Sequence, residues 1–183
     1  EVEANRTAQS EIYNQAIVAD LEFAIANLPD EQSDYGRATK PAAEFLLAKA
    51  LLTRSYTSFA EGTDASRAET LFSNVINDYG FSLLDNFADL WDITNQENSE
   101  MVFVISNSNS QVDSGVDRFG HRWHLYFLHE YDVRRGMTRD IANGRPWKRH
   151  RPTDFMLTLW DRTIDSRYDD SFKHVWFANK DEP

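Results

Sequence analysis

Apolar residues recur every three or four positions through residues 7–80, and polar or glycine-containing stretches interrupt the pattern at only a few places. Tyr13, Ile17, Leu21, Ala24 and Leu28 form one stripe, with Ile12, Ala16, Ala19 and Phe23 beside it. This predicts a helix over 7–28, ended by Pro29 because a residue before proline avoids the helical region. The densest pattern is KPAAEFLLAKALLTRSYTSFA, residues 40–60. One stripe holds Ala43, Leu47, Ala50 and Leu51; a second holds Phe45, Ala48, Leu52, Tyr56 and Phe59. Two stripes predict a helix sandwiched between neighbours, with Glu44 and Lys49 on what exposed face remains. Pro41 fits the first turn, and Gly62 suits a stop.

Ala68, Leu71, Phe72, Val75, Ile76 and Tyr79 predict a third helix over 66–79. Ser66 with Glu69 has capping-box spacing, and Asp64 is an equally good start. Gly80 is placed to end the helix. Three antiparallel helices joined by short loops follow. Leu84, Phe87, Leu90 and Trp91 predict a short helix or turn. Met101–Ile105 is a continuous apolar run that reads as a buried strand. Residues 107–115 read as a solvated loop, and 132–150 as mostly irregular. Thr153 is expected to cap a helix running to Asp161, and a strand is expected around His174–Phe177. The predicted fold is mainly α (α+β), with tetratricopeptide-like antiparallel helix pairs, a few short strands and long loops. No second copy of a helix pair appears at the period of about 34 residues that a regular array needs. The whole chain, residues 1–183, is expected to act as one region of a larger domain.

Composition narrows the function. The chain has 183 residues and no cysteine, which removes disulfides and thiolate metal sites. No uninterrupted apolar stretch reaches the roughly 18 residues of a membrane span. The net charge of −11 argues against nucleic acid as a partner. The charge is uneven, however. Residues 1–117 hold 6 Lys and Arg against 20 Asp and Glu, whereas residues 118–151 hold 9 against 3. That basic island either folds against acidic partners or forms an anion-accepting surface.

Candidate chemistry concentrates near the island. His121, His124 and His129 lie close to Glu130 and Asp132, but match no standard zinc spacing. Asp161 and Asp165 are an arithmetically possible acid/base pair, and Asp165 with Arg167 reads better as a structural ion pair. No nucleophile elbow, phosphate-binding glycine loop or zinc-protease motif is present. No cofactor is expected. Trp123, Tyr126, Tyr131 and Trp147 lie in segments read as loop or strand edge, with Arg122, His124, Arg145, Lys148 and Arg149 near them in sequence. Aromatic rings offer an apolar face to the C–H face of a sugar, and the basic groups donate to hydroxyls or carboxylates. The candidate ligand set is Trp123, His124, Tyr126, Trp147 and Arg149. The alternative is that Trp123 and Tyr126 are core, as Trp160 is expected to be.

Four stretches, in order, resemble the SusD/RagB family of nutrient-binding lipoproteins: 37–56, 68–84, 97–106 and 151–161 followed by 165–167. The resemblance implies a non-enzymatic protein held by a lipid anchor on the surface of a Bacteroidetes-type outer membrane. It implies capture of glycans, or of peptides in some members, and delivery to a TonB-dependent, SusC-like transporter. Its core would be tetratricopeptide-like helix pairs. Family members are much longer, so the chain is expected to be a middle portion. The runner-up is a helical scaffold that binds protein without glycan.

Overall fold

The structure, a computed structural model, describes residues 5–105 and 123–180, and for Trp123 and His124 the backbone alone. The chain divides into two compact units, Glu1–Ser106 and Asn107–Pro183.

The first unit is built around α3 (Lys40–Arg54). It packs against α2 (Ala19–Asn27) on one side and α4 (Asp64–Asp78) on the other. The predicted first helix is one continuous run. α1 (Gln9–Ile12) leads through a π-helical stretch, Tyr13–Val18, into α2. The core holds Val18, Leu47, Ala48, Leu51 and Ala68, with Leu21, Ile25, Leu71 and Phe72 packed on it. Burying Leu47 and Leu51 fully contributes about 2 kcal/mol each. The alanines let the helices approach closely. Thr39 caps α3 by accepting from the Ala42 N–H, and Gly80 (φ +76) follows the end of α4 in the left-handed conformation expected there.

One polar group is embedded in this core. Arg54 and Asp64 are 1% and 0% exposed. The guanidinium donates twice to the carboxylate, at 2.9 and 2.6 Å, and also to Asn14 Oδ1 at 2.5 Å. Glu61 Oε1 lies 3.0 Å from the same guanidinium, and the Glu61 N–H donates to Asp64. Hydrogen bonds from Arg54 hold the Asp64 carboxyl below its usual range, against the opposing effect of burial. The pair ties α3 to the start of α4 and to the π-helical stretch.

Three expectations are corrected. The α3 helix stops at Arg54, short of Ala60. The hydroxyls of Thr53, Ser55 and Thr57 donate back to the carbonyls of Lys49, Leu52 and Arg54, offering the backbone an alternative to continued helix. The second stripe is only partly covered, since Leu52 and Tyr56 are exposed. Glu44, by contrast, is buried at 4% exposure, because it sits on the face turned to the core with Ala43, Leu47 and Ala48.

No strand forms among the described residues, so the α+β element of the prediction falls away and the described fold is all-helical. Residues 101–105 are irregular and form no strand among the described residues, and Phe103 and Ile105 are exposed. Residues 174–177 are irregular as well. A continuous apolar run specifies extended chain only where a partner strand receives its hydrogen bonds. Phe87–Trp91 forms the short turn expected there, as a 3-10 helix.

The second unit has short elements: α5 (Trp123–Phe127), a 3-10 turn Tyr131–Val133, α6 (Asp154–Thr158) and α7 (Arg167–Ser171). Thr153 caps α6 as expected, accepting from the Met156 N–H at 3.2 Å, but the helix ends at Thr158. The unit is centred on Tyr131, which is fully buried. Its hydroxyl donates to the Gly144 carbonyl at 2.6 Å, and its ring stacks on Trp176 at 4.9 Å. Asn179 clasps the 136–140 turn. Its side chain accepts from Thr138 N, donates to Thr138 O and donates to the Asp140 carboxylate.

Candidate functional site

The candidate site in the second unit is assembled by main-chain hydrogen bonds. Trp147 N donates to Leu125 O at 2.9 Å. Arg149 N and His150 N both donate to Tyr126 O, at 2.9 and 3.0 Å. Between them Lys148 takes a φ of 54°, a left-handed conformation that residues with a side chain seldom adopt. Such strain clusters at binding sites, where the surroundings must hold it. The turn it makes lays residues 147–150 along the exit of α5.

Side chains far apart in sequence meet as a result. Tyr126 and Trp147 pack edge to face with ring centres 4.9 Å apart. His150 stacks on Tyr126 at 5.9 Å and approaches Phe127 at 5.2 Å. Tyr126 and Trp147 are half-buried, neither core nor free-standing, while Phe127 and His150 are exposed. Arg149 is exposed, and its side chain has no partner among the described residues; the same holds for Arg145 and Arg151. The basic island pairs in part with its own carboxylates. Arg139 holds Asp132 at 2.7 Å, and Lys148 holds Glu130, keeping the Glu130 carboxyl below its usual range.

Of the predicted set, Tyr126, Trp147 and Arg149 therefore come together. The side chains of Trp123 and His124 lie outside the described residues, as does His121. His129 stacks on Trp176 at 4.6 Å, apart from any ligand-like cluster among the described residues. Tyr131 is a buried strut rather than a platform. His150 and Phe127 were missed by the sequence reading. The only signal for His150 is its position three residues after Trp147, which is too weak to act on without the turn at Lys148.

The other acid/base candidates do not resemble a catalytic pair. Asp161 accepts from the Thr163 hydroxyl and N–H at 2.6 and 3.0 Å, and these bonds lower its pKa. Asp165 holds Arg167 at 2.8 and 2.6 Å, the structural ion pair anticipated, and its pKa is likewise lowered by that partner. A general acid for glycoside cleavage needs a raised pKa. Trp160 is half-buried rather than core, with Tyr168 and Phe172 at its edges and Arg167 over its ring.

The aromatic pair with the histidine against it can stack on a flat apolar ligand face, and an exposed guanidinium such as that of Arg149 can donate to ligand oxygens.

No protein-family model matches the chain. Over 95 residues, 50% of the chain, it is 39% identical to a SusD-like protein of Bacteroides ovatus, of which the match covers 17%. Among solved structures it is similar to a protein whose crystal structure was determined with xylogluco-oligosaccharide. The TM-score is 0.56 and the identity 26%, covering 72% of this chain and 28% of that one. The chain thus spans less than a third of the length of either. Matched over half its own length, the chain is homologous to SusD-like proteins.

Proposed function

We propose that this chain is part of a cell-surface glycan-binding protein of the SusD type, which captures oligo- or polysaccharide without altering it and passes it to a TonB-dependent transporter. The observation that carries the reading is the homology to a SusD-like protein, supported by the likeness to a protein crystallised with xylogluco-oligosaccharide. Ligand contacts are assigned to Tyr126, Trp147, His150 and Arg149, with Trp123 and His124 as further members. The rings stack on the sugar, and Arg149 donates to its oxygens. With Arg145, Arg149 and Arg151 exposed, the surface favours acidic glycans, and added salt weakens that preference by screening. The reading places the protein at the outer membrane, held by a lipid anchor. No helix among the described residues is long and apolar enough to cross a membrane. The test is binding to a panel of neutral and anionic glycans, xylogluco-oligosaccharide included, at low and high salt.

A second reading is favoured by the exposed Phe23, Leu52, Tyr56 and Ile76, in or next to the helices of the first unit. These residues suit a scaffold whose helices dock protein. The two readings are compatible, since the transporter itself is such a partner. Lys49→Glu should weaken transporter binding and spare glycan binding if the helices dock.

A further inference from the structure

Lys148 sits in a backbone conformation, φ 54°, that lysine rarely takes. The left-handed region crowds Cβ against the following carbonyl and is left mainly to glycine and asparagine. What the turn achieves is visible in its neighbours. In an extended strand, side chains three residues apart point to opposite faces, with Cα atoms about 10 Å apart. Trp147 and His150 are three residues apart, yet both pack on the one ring of Tyr126, at 4.9 and 5.9 Å. The chain reversal at Lys148 brings them there.

The main chain holds this turn through the amides of residues 147–150, which donate to the carbonyls of Leu125, Tyr126 and Leu128. The weakest link is at the strained residue itself: Lys148 N lies 3.3 Å from Leu128 O, against 2.9 to 3.0 Å for the other three. The Lys148 side chain adds a second tie at that point. Its ammonium is ion-paired with Glu130, two residues beyond Leu128 in sequence. The ammonium is thus turned to the protein's own carboxylate, whereas the neighbouring Arg149 is exposed. The paired side chains are 46% and 47% exposed, so the tie shifts an equilibrium by no more than about fivefold.

We propose that Lys148 is a positioning residue for the aromatic surface and not a ligand contact: its ion pair with Glu130 holds the left-handed turn that brings Trp147 and His150 onto Tyr126. What the surface binds rests on the glycan reading; how the surface is held rests on the turn.

Charge reversal in the full chain tests this, with Glu130→Lys, Lys148→Glu and the double variant that restores the pair with its signs exchanged. Two quantities are read. Amide hydrogen exchange at Trp147, Arg149 and His150, followed by nuclear magnetic resonance without ligand, reports opening of the turn. Calorimetry with xylogluco-oligosaccharide, a neutral chain indifferent to the reversed charges, reports the binding surface. Each single reversal should speed exchange at the three amides up to about fivefold and weaken the oligosaccharide by a similar factor. The double variant should return both to within about twofold of the parent. A lysine or glutamate with no part in the turn would leave exchange unmoved in every variant, and that result overturns the proposal. Loss of affinity with exchange unmoved also overturns it, because Lys148 then touches the sugar. So does a double variant that restores neither quantity. If the parent chain binds no xylogluco-oligosaccharide, the glycan reading fails separately, and the exchange data alone decide whether Lys148 holds the turn.

Discussion

The two units solve the problem of a small core differently. The unit ending at Ser106 buries a conventional seam of Leu, Val and Ala between long helices and sets one ion pair inside it. Among its described residues, the unit beginning at Asn107 has α-helices of five residues and buries few side chains, Tyr131, Met137 and Pro146. Its order comes from stacked rings and from side chains that clasp turns, such as Asn179 on residues 136–140. Helical packing produces a rigid scaffold from local periodicity. Ring stacks and turn clasps leave aromatic and basic groups at the surface, which is where a binding site has to be.

The sharpest way to break this contrast is Arg54→Ala. It strands the buried Asp64 carboxylate and should cost about 3–5 kcal/mol of stability in the first unit. Four of the five tryptophans lie beyond Ser106, so tryptophan fluorescence reports mainly the second unit, while far-ultraviolet circular dichroism reports mainly the long helices. In urea the dichroism transition should move far more than the fluorescence transition. Equal movement would mean that the units do not differ in what holds them.

Acid sharpens the same comparison with a smaller effect. The folded pKa of Asp64 lies below its unfolded value, so the group contributes stability above the ordinary carboxylate pKa of about 3.9. That contribution is lost as pH falls through the folded value. The urea midpoint followed by dichroism should therefore drop steeply below about pH 4, and Asp64→Asn, already weaker at neutral pH, should flatten the drop. The second unit's Asp140, Asp161 and Asp165 are also lowered by hydrogen bonds, but they lie nearer solvent and should produce a shallower change. The smallest effect expected is Tyr131→Phe, which removes the bond to Gly144 O and should cost about 1 kcal/mol, seen by fluorescence.

The same contrast decides what could be read from the chain. The three long helices were legible because amphipathic spacing repeats over many residues, and Gly80 marked the end of α4 as expected. The end of α3 was not, because its termination rests on hydroxyls of Thr53, Ser55 and Thr57 rather than on Gly62. The runs at 101–105 and 174–177 were misread as strands, since apolar content alone names no pairing partner. In the second unit the meeting of Tyr126 with Trp147 was anticipated only as proximity in sequence. The turn at Lys148, the place of His150 and the clasp by Asn179 depend on contacts across 20 to 40 residues that no local pattern encodes.

The most direct test of the account is glycan binding by the full chain and by Trp147→Ala, measured calorimetrically with xylogluco-oligosaccharide and an anionic polysaccharide, with fold monitored by circular dichroism. The account predicts measurable binding by the parent chain and a loss of about tenfold or more in the variant, the size of one aromatic stacking contact, with unchanged helical signal. Equal binding by both proteins, or none by the parent chain, would contradict the assignment of the glycan surface to Tyr126, Trp147 and Arg149.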